Sequence, residues 1–349
     1  MKLPSARGPL SAAVVEVLSG GGHMARDRAV RLVGALPADT DLLADDDLHL
    51  SLWLLFEQHY QGFEGVAEEL EWDPDLLALR RELERIFEAE LRRVTAGRVS
   101  EAVEADGDVA ERLFALTEAF DGPSVAAYLQ REATLEQYRE FLVHRSVYHL
   151  KESDPSSFVI PRLTGKPKAA LVELQYDEYG GGRPDRIHST LFGDALEAAG
   201  LDRGYSAYVD RVPGYTLAVN NAMSLLGLNR RLRAAAMGHL GAFEATSSLP
   251  CRKLAGGARR LELPEPVAAY FDEHVEADAV HEQLAFRDIC AELARQDPQL
   301  LVDVFFGAAV CLALDTMVAE RMVPAWRAGE STLRPGPDVV DGPRVEAVA

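Results

Sequence analysis

Along most of this chain apolar residues return at intervals of three and four, and β-branched residues almost never alternate with polar ones. That periodicity belongs to helices with a buried stripe, so the chain is restricted to an all-α architecture. It predicts helices over Leu48 to Gly62, Pro74 to Thr95, Leu135 to Glu152, Ala169 to Tyr179, Pro184 to Ala199, Arg230 to Ser247, Pro266 to Ala294 and Gln299 to Arg327. Two of the starts carry a capping residue followed by proline, Asp73-Pro74 and Asp297-Pro298. The aspartate can accept from the first free N–H groups, and proline lacks only a donor that would go unused.

No internal repeat or low-complexity linker divides the chain, and 349 residues suffice for a large core. The expected organisation is a single helical domain over 23–330 between flexible termini. Residues 1–22 end in Gly20-Gly21-Gly22, and 331–349 are rich in Pro, Gly and Val. The reading finds no uninterrupted apolar run of the roughly 18 residues a membrane span needs, so no membrane partner is expected. The first ten residues, MKLPSARGPL, are too weakly hydrophobic for a signal peptide, which makes a cytoplasmic location the expectation. A formal charge of −20 without a basic patch argues against nucleic acid. Cys251, Cys290 and Cys311 are too few and too widely spaced for a disulfide framework or a Cys-x-x-Cys site.

Within the helix Pro266 to Ala294, His274, Asp278 and His281 stand four and then three residues apart. At about 100° per residue they share an arc of roughly 60° and climb roughly 10 Å, so two imidazoles and a carboxylate can face one small volume. Imidazole with carboxylate suits iron, manganese or zinc. The same residues would also suit a solvated acidic face, since Asp272 to Glu282 is acidic throughout.

A second cluster follows Asp177 and Glu178. In an unbroken helix Glu178 and His188 would lie about 15 Å apart. Gly180-Gly181-Gly182 and Pro184 break it, so Glu178 ends one helix while Asp185 and His188 open the next, and the reversal can bring the two ends together. Asp185 can equally be a favourable charge at a helix N-terminus. Glu244 lies among Met237, Gly238, Leu240, Gly241 and Ala242, where a carboxylate needs a cation or a strong donor. Glu152 ends the helix from Leu135, in line with Arg145, Tyr148 and His149, and can also read as a solvated helix end paired with Arg145.

Taken in order, Asp177-Glu178-Tyr179-Gly180 with His188, Gly238-His239-Leu240 with Glu244, and Phe271 through His281 resemble the haem-oxygenase-like dimetal oxidases and oxygenases, the iron-containing redox enzymes, from about Ser51 to Arg334. The resemblance implies a haem-oxygenase-like helical bundle with an N-terminal helical extension, the metal-binding core lying over about 135–330. It implies two ferrous ions as cofactor with O2 as co-substrate. The implied ligands are Glu178, His188, Glu244, His274, Asp278 and His281, with Glu152 and Asp185 at places where some members carry further carboxylates. The implied function is an O2-activating nonhaem diiron oxidase or oxygenase acting on a small metabolite by N-oxygenation, C–C cleavage or desaturation, with an external electron donor as a partner. Tyr205, Tyr208 and Arg211, between two ligand helices, offer aromatic and cationic groups for substrate, although the segment also suits an ordinary connection. Two other readings stay open: a non-catalytic helical protein that binds a ligand or partner through a structural metal site, and a haem oxygenase. A homodimer is compatible with all of them.

Overall fold

The computed structural model describes residues 1–37, 40–119 and 122–336, and for 276–280 the backbone alone. Among the described residues every regular element is helical. The chain is all-α.

Three helices precede the first long one: α1 (Pro9–Leu18), α2 (Gly22–Gly34) and α3 (Asp46–Glu57). The expectation of a loose N-terminus over 1–22 is corrected here. Helix α1 buries Leu10, Ala13, Val14, Val17 and Leu18 in the common core. Its open N-terminal donors are satisfied by a carboxylate from α3, with Asp47 accepting from the backbone N–H of Leu10 at 2.8 Å and of Ser11 at 2.6 Å. A ten-residue helix this apolar has little polar face to reveal its period.

Next come α4 (Pro74–Glu104), α5 (Val109–Glu118), α6 (Val125–Arg131), α7 (Leu135–His149) and the single turn α8 (Asp154–Ser157). Asp73 caps α4 through the N–H groups of Asp75 and Leu76, as the Asp-Pro signal predicts. Thr134 and Gln137 form a reciprocal capping box on α7. Helices α9 (Gly165–Glu178) and α10 (His188–Ala198) flank the glycine break, and α11 (Gly214–Leu228), α12 (Arg233–Ala245), α13 (Ser248–Arg260) and α14 (Glu265–Gln283) follow. The single helix expected to run from Pro266 to Ala294 instead widens into a π-helical stretch, Leu284–Ala291, and closes as α15 (Glu292–Gln296). There the Phe286 ring sits on Gly241 of α12, where an added β-carbon would come within 2.7 Å of it.

The last helix, α16 (Leu301–Arg327), lies against α12, α4 and α11. With its preceding turn, Pro298–Arg327 is the one described helix long and apolar enough to cross a membrane by length and composition, although Asp303 and Asp315 interrupt its apolar run. Of its apolar window 61% is buried inside the protein. A helix surrounded by others is apolar on every side, and composition alone does not separate it from a membrane span. Beyond α16 the chain stays attached: Thr332 donates its N–H to Glu140 Oε2 at 3.0 Å, and its hydroxyl lies 2.9 Å from His144 Nε2. The loose tail expected from Ser331 is therefore corrected for 331–336; residues 337–349 lie outside the described residues.

Candidate metal centre

The turn after α7, the break between α9 and α10, the end of α12 and the C-terminal half of α14 converge on two adjoining clusters of buried side chains. Glu152, His188 and His274 form one, and Glu178, Glu244 and His281 the other. In each cluster one ligand atom from every residue lies within 4.8 Å of the others. The clusters meet where His188 Nδ1 stands 3.0 Å from Glu178 Oε2. Six of the residues singled out in the sequence are thus brought together. The side chain of Asp278 lies outside the described residues.

Local backbone explains the convergence. All three glycines of the break have positive φ (71°, 62° and 79°), and a β-carbon at Gly180 would lie 2.6 Å from the Arg186 carbonyl carbon. Only glycine lets the chain fold back this closely, and the fold-back sets the start of α10 beside the end of α9. Glu152 does not belong to α7, which ends at His149. It sits in the following turn, anchored by its two neighbours. Ser153 adopts a left-handed φ of 73°, uncommon for serine, and its hydroxyl donates to Glu178 Oε2 at 2.9 Å. Lys151, fully buried, pairs with the equally buried Glu57 of α3 and lies over the Tyr60 ring at 4.1 Å.

Asp185 is not brought in. It lies in the short turn Pro184–Arg186, its side chain 70% exposed and paired with Arg183 at 2.9 Å. Helix α10 starts only at His188, so Asp185 never shares its face; the expected ligation is corrected. Tyr205, Tyr208 and Arg211 are corrected as well. Tyr205 donates its hydroxyl to Glu57 Oε2 at 2.8 Å, Tyr208 accepts from the Asp202 N–H at 2.7 Å, and Arg211 donates to the Arg334 carbonyl at 3.1 Å. All three are engaged in holding the chain together, and none lines the cavity described below.

Neighbours orient three of these side chains. His274 Nδ1 lies 2.8 Å from the Tyr270 carbonyl, which requires the proton there and leaves Nε2 as the basic nitrogen, 3.8 Å from Glu152 Oε2. His281 Nε2 stands 3.3 Å from Asp177 Oδ2, while Nδ1 faces Glu178 Oε1 at 3.6 Å and Glu244 Oε2 at 3.4 Å. Both oxygens of Glu152 have partners: His149 Nδ1 lies 3.0 Å from Oε1, and the Tyr270 hydroxyl donates to Oε2 at 2.9 Å. Asp177, Ser153 and Tyr270 were not singled out in the sequence as site residues, yet Tyr270 stands one turn before His274 on the same stripe and was findable by that spacing.

The electrostatics follow from burial set against pairing. Burial raises the Glu244 carboxyl, opposed by its contact with His281 and reinforced by the Glu178 charge. Burial acts in the same sense on Glu152 but is outweighed by His149 and His274, which hold this carboxyl well below the usual range. Burial would lower His281, but Glu244, Glu178 and Asp177 overcome it and hold the imidazole up at about 9. Tyr270 is pushed far above the ordinary tyrosine range, first by burial and then by Glu152, so it stays a proton donor.

These residues fit a transition-metal cation. Carboxylate and imidazole ligands about 2.1 Å from an ion, at angles between square and tetrahedral, stand about 3.0–3.4 Å from one another. Nitrogen-to-oxygen separations of 3.4, 3.6 and 3.8 Å within the two clusters are close to that and too long for good hydrogen bonds. His188 Nδ1, buried and 3.0 Å from Glu178, lies off the line of a hydrogen bond. Carboxylate and carbonyl partners behind the imidazoles of His281 and His274 are the usual means of fixing a metal-binding tautomer.

A cavity of about 330 Å3 opens onto the first cluster. Glu152, His149, His274 and Tyr270 form its inner end, with Phe141, Phe243, Phe271 and Leu312 among its apolar walls.

Residues 139–316 match the model of a family described as iron-containing redox enzyme. A nitrosourea synthase from Streptomyces achromogenes subsp. streptozoticus is 28% identical over 218 residues, covering 60% of this chain and 46% of the relative. The chain therefore spans about half the length of the curated relative it matches.

Proposed function

Because this chain belongs to the family of iron-containing redox enzymes, we propose that it is an O2-activating nonhaem diiron oxidase or oxygenase acting on a small metabolite. The observation that carries the reading is the pair of buried clusters joined through Glu178 and His188, with a cavity that ends on one of them. When bound, a pair of ferrous ions supplies the electrons that activate dioxygen.

Glu152, His188 and His274 would hold one iron and Glu178, Glu244 and His281 the other, with Asp278 as a further ligand. Four carboxylates then oppose the four positive charges of two ferrous ions, and neutral imidazoles complete the set. Tyr270 and His149 keep Glu152 in place by occupying one lone pair on each oxygen, leaving others for the metal. Phe141, Phe243 and Phe271 line the cavity together with Glu152 and His274 and would exclude bulk water there. An external donor would supply the reducing equivalents.

Among N-oxygenation, C–C cleavage and desaturation, oxidation at nitrogen is favoured by the relative named for making a nitrosourea, a product that contains an oxidised nitrogen. Anaerobic loading with Fe(II), followed by admission of O2, tests the proposal. Two irons per chain and consumption of oxygen are expected. Binding well below two irons with no oxygen consumed would sink it.

A further inference from the structure

Arg145 and Asp315 line the same cavity from two different helices, α7 and α16. Both are half-buried. Among the described residues neither has an ion-pair partner, and they do not pair with each other. The Arg145 guanidinium lies over the Phe141 ring at 5.5 Å, a stacking that positions the group while leaving its N–H edge for a ligand. Both charges act on buried Cys311, Asp315 raising its thiol and Arg145 lowering it, so both stand near that one residue. Many arginines of this chain are matched with carboxylates, as in Arg26 with Asp73, Arg92 with Asp303 and Arg231 with Glu88, and others with backbone carbonyls, as in Arg162 with Gly227 and Leu228. A cation and an anion left unmatched in one largely apolar cavity are complementary to a ligand that carries both charges.

We propose that Arg145 and Asp315 anchor a zwitterionic amino acid, its carboxylate on Arg145 and its ammonium on Asp315. The register of α7 gives the direction of the rest. His149 lies one turn beyond Arg145 on the same face, about 6 Å along the axis, and Glu152 stands in the turn that follows the end of α7, bonded to His149. An amino acid held by its head groups therefore extends its side chain between Phe141, Leu312 and Phe271, and presents the far end of that side chain to Glu152, Tyr270 and His274. The group brought to the clusters is on the side chain and not at the α-carbon. That last point rests on the clusters being the metal centre; the anchoring of the head groups does not.

Calorimetry on the full-length, metal-free protein with L-norleucine, hexanoate and n-pentylamine tests the anchoring, because the three probes share a chain and differ in their charges. Norleucine is expected to bind at least about tenfold more tightly than either analogue. Arg145→Gln should reduce norleucine to the level of pentylamine, Asp315→Asn should reduce it to the level of hexanoate, and Arg145→Lys should fall between. Melting temperatures of the variants, unchanged within a few degrees, exclude loss of folding as the cause. Hexanoate binding as tightly as norleucine, Asp315→Asn without effect, or no norleucine bound at about 10 mM would each overturn the proposal. Iron uptake is measured in parallel. A protein that binds norleucine but takes up no iron retains this anchoring and loses the metal reading; one that takes up iron and ignores norleucine does the reverse.

Discussion

Gly238 of α12 and Gly307 of α16 interlock the two helices. A β-carbon on Gly238 would lie 1.9 Å from the Val304 carbonyl oxygen, and one on Gly307 would lie 1.8 Å from the Ala235 carbonyl oxygen. The obstructing atoms are backbone on both sides, so no side chain can rotate away. Gly307→Ala must push α12 and α16 apart, and α12 carries Glu244. The expected cost is about 3 kcal/mol, the upper end of what overpacking produces, visible as a drop in melting temperature. Because Glu244 moves with its helix, iron binding should weaken in the same variant. A Gly307→Ala protein with wild-type stability would mean that the crossing is looser than these distances.

The buried pair of Lys151 and Glu57 makes a different prediction. Both side chains are fully buried, and Tyr205 and Tyr60 complete their surroundings. Lys151→Met leaves Glu57 as an uncompensated buried charge, which typically costs about 3–5 kcal/mol. Removing both charges, in Lys151→Met with Glu57→Leu, should restore much of the loss, because two desolvated ions are replaced by apolar groups. Denaturant unfolding of the two single variants and the double variant measures this directly. Additive losses would show that the residues act independently.

How much of this was legible in the sequence depends on how local each signal was. The spacing from His274 to His281 needs only a helix, and the meeting of Glu178 with His188 needs only the glycine break between them; both are short-range facts. Asp185 misled because its role depends on the residue at which α10 begins, and three residues of turn were enough to expose it. Tyr205, Tyr208 and Arg211 misled because the position of a cavity is tertiary: it arises where α7 faces α16, almost 170 residues later, and no local pattern announces that. The π-helical stretch after His281 was hidden for the same reason, since it accompanies the contact of Phe286 with Gly241 on another helix.

Proton linkage at His281 is expected to run in two directions. In the metal-free protein this imidazole titrates at about 9, against 6.5 for the unperturbed side chain. A raised folded value gives stability that is complete below about 6.5 and is lost as pH rises through about 9, on the order of 3 kcal/mol in all. Thermal melts with a chelator present should fall across that window, and His281→Gln should flatten the slope. Iron binding must displace the same proton, so affinity should rise toward tenfold per unit of pH below about 9, with proton release measurable in weakly buffered solution.

Asp177 and Asp185 provide the sharpest contrast between the sequence and the folded chain, since both are acidic and both flank the glycine break. Asp177 lies 3.3 Å from His281 Nε2 and fixes which nitrogen of that ring faces Glu178 and Glu244. Asp185 is solvated and paired with Arg183. Asp177→Asn keeps the shape and removes the charge behind the imidazole, so iron affinity should fall about 10–100-fold, the usual effect of losing a carboxylate partner of a ligating histidine. Asp185→Asn removes an exposed charge and should leave affinity within about twofold. Competition of each variant against a calibrated iron chelator separates the two. Equal losses would return Asp185 to the metal centre; no loss in Asp177→Asn would remove Asp177 from it.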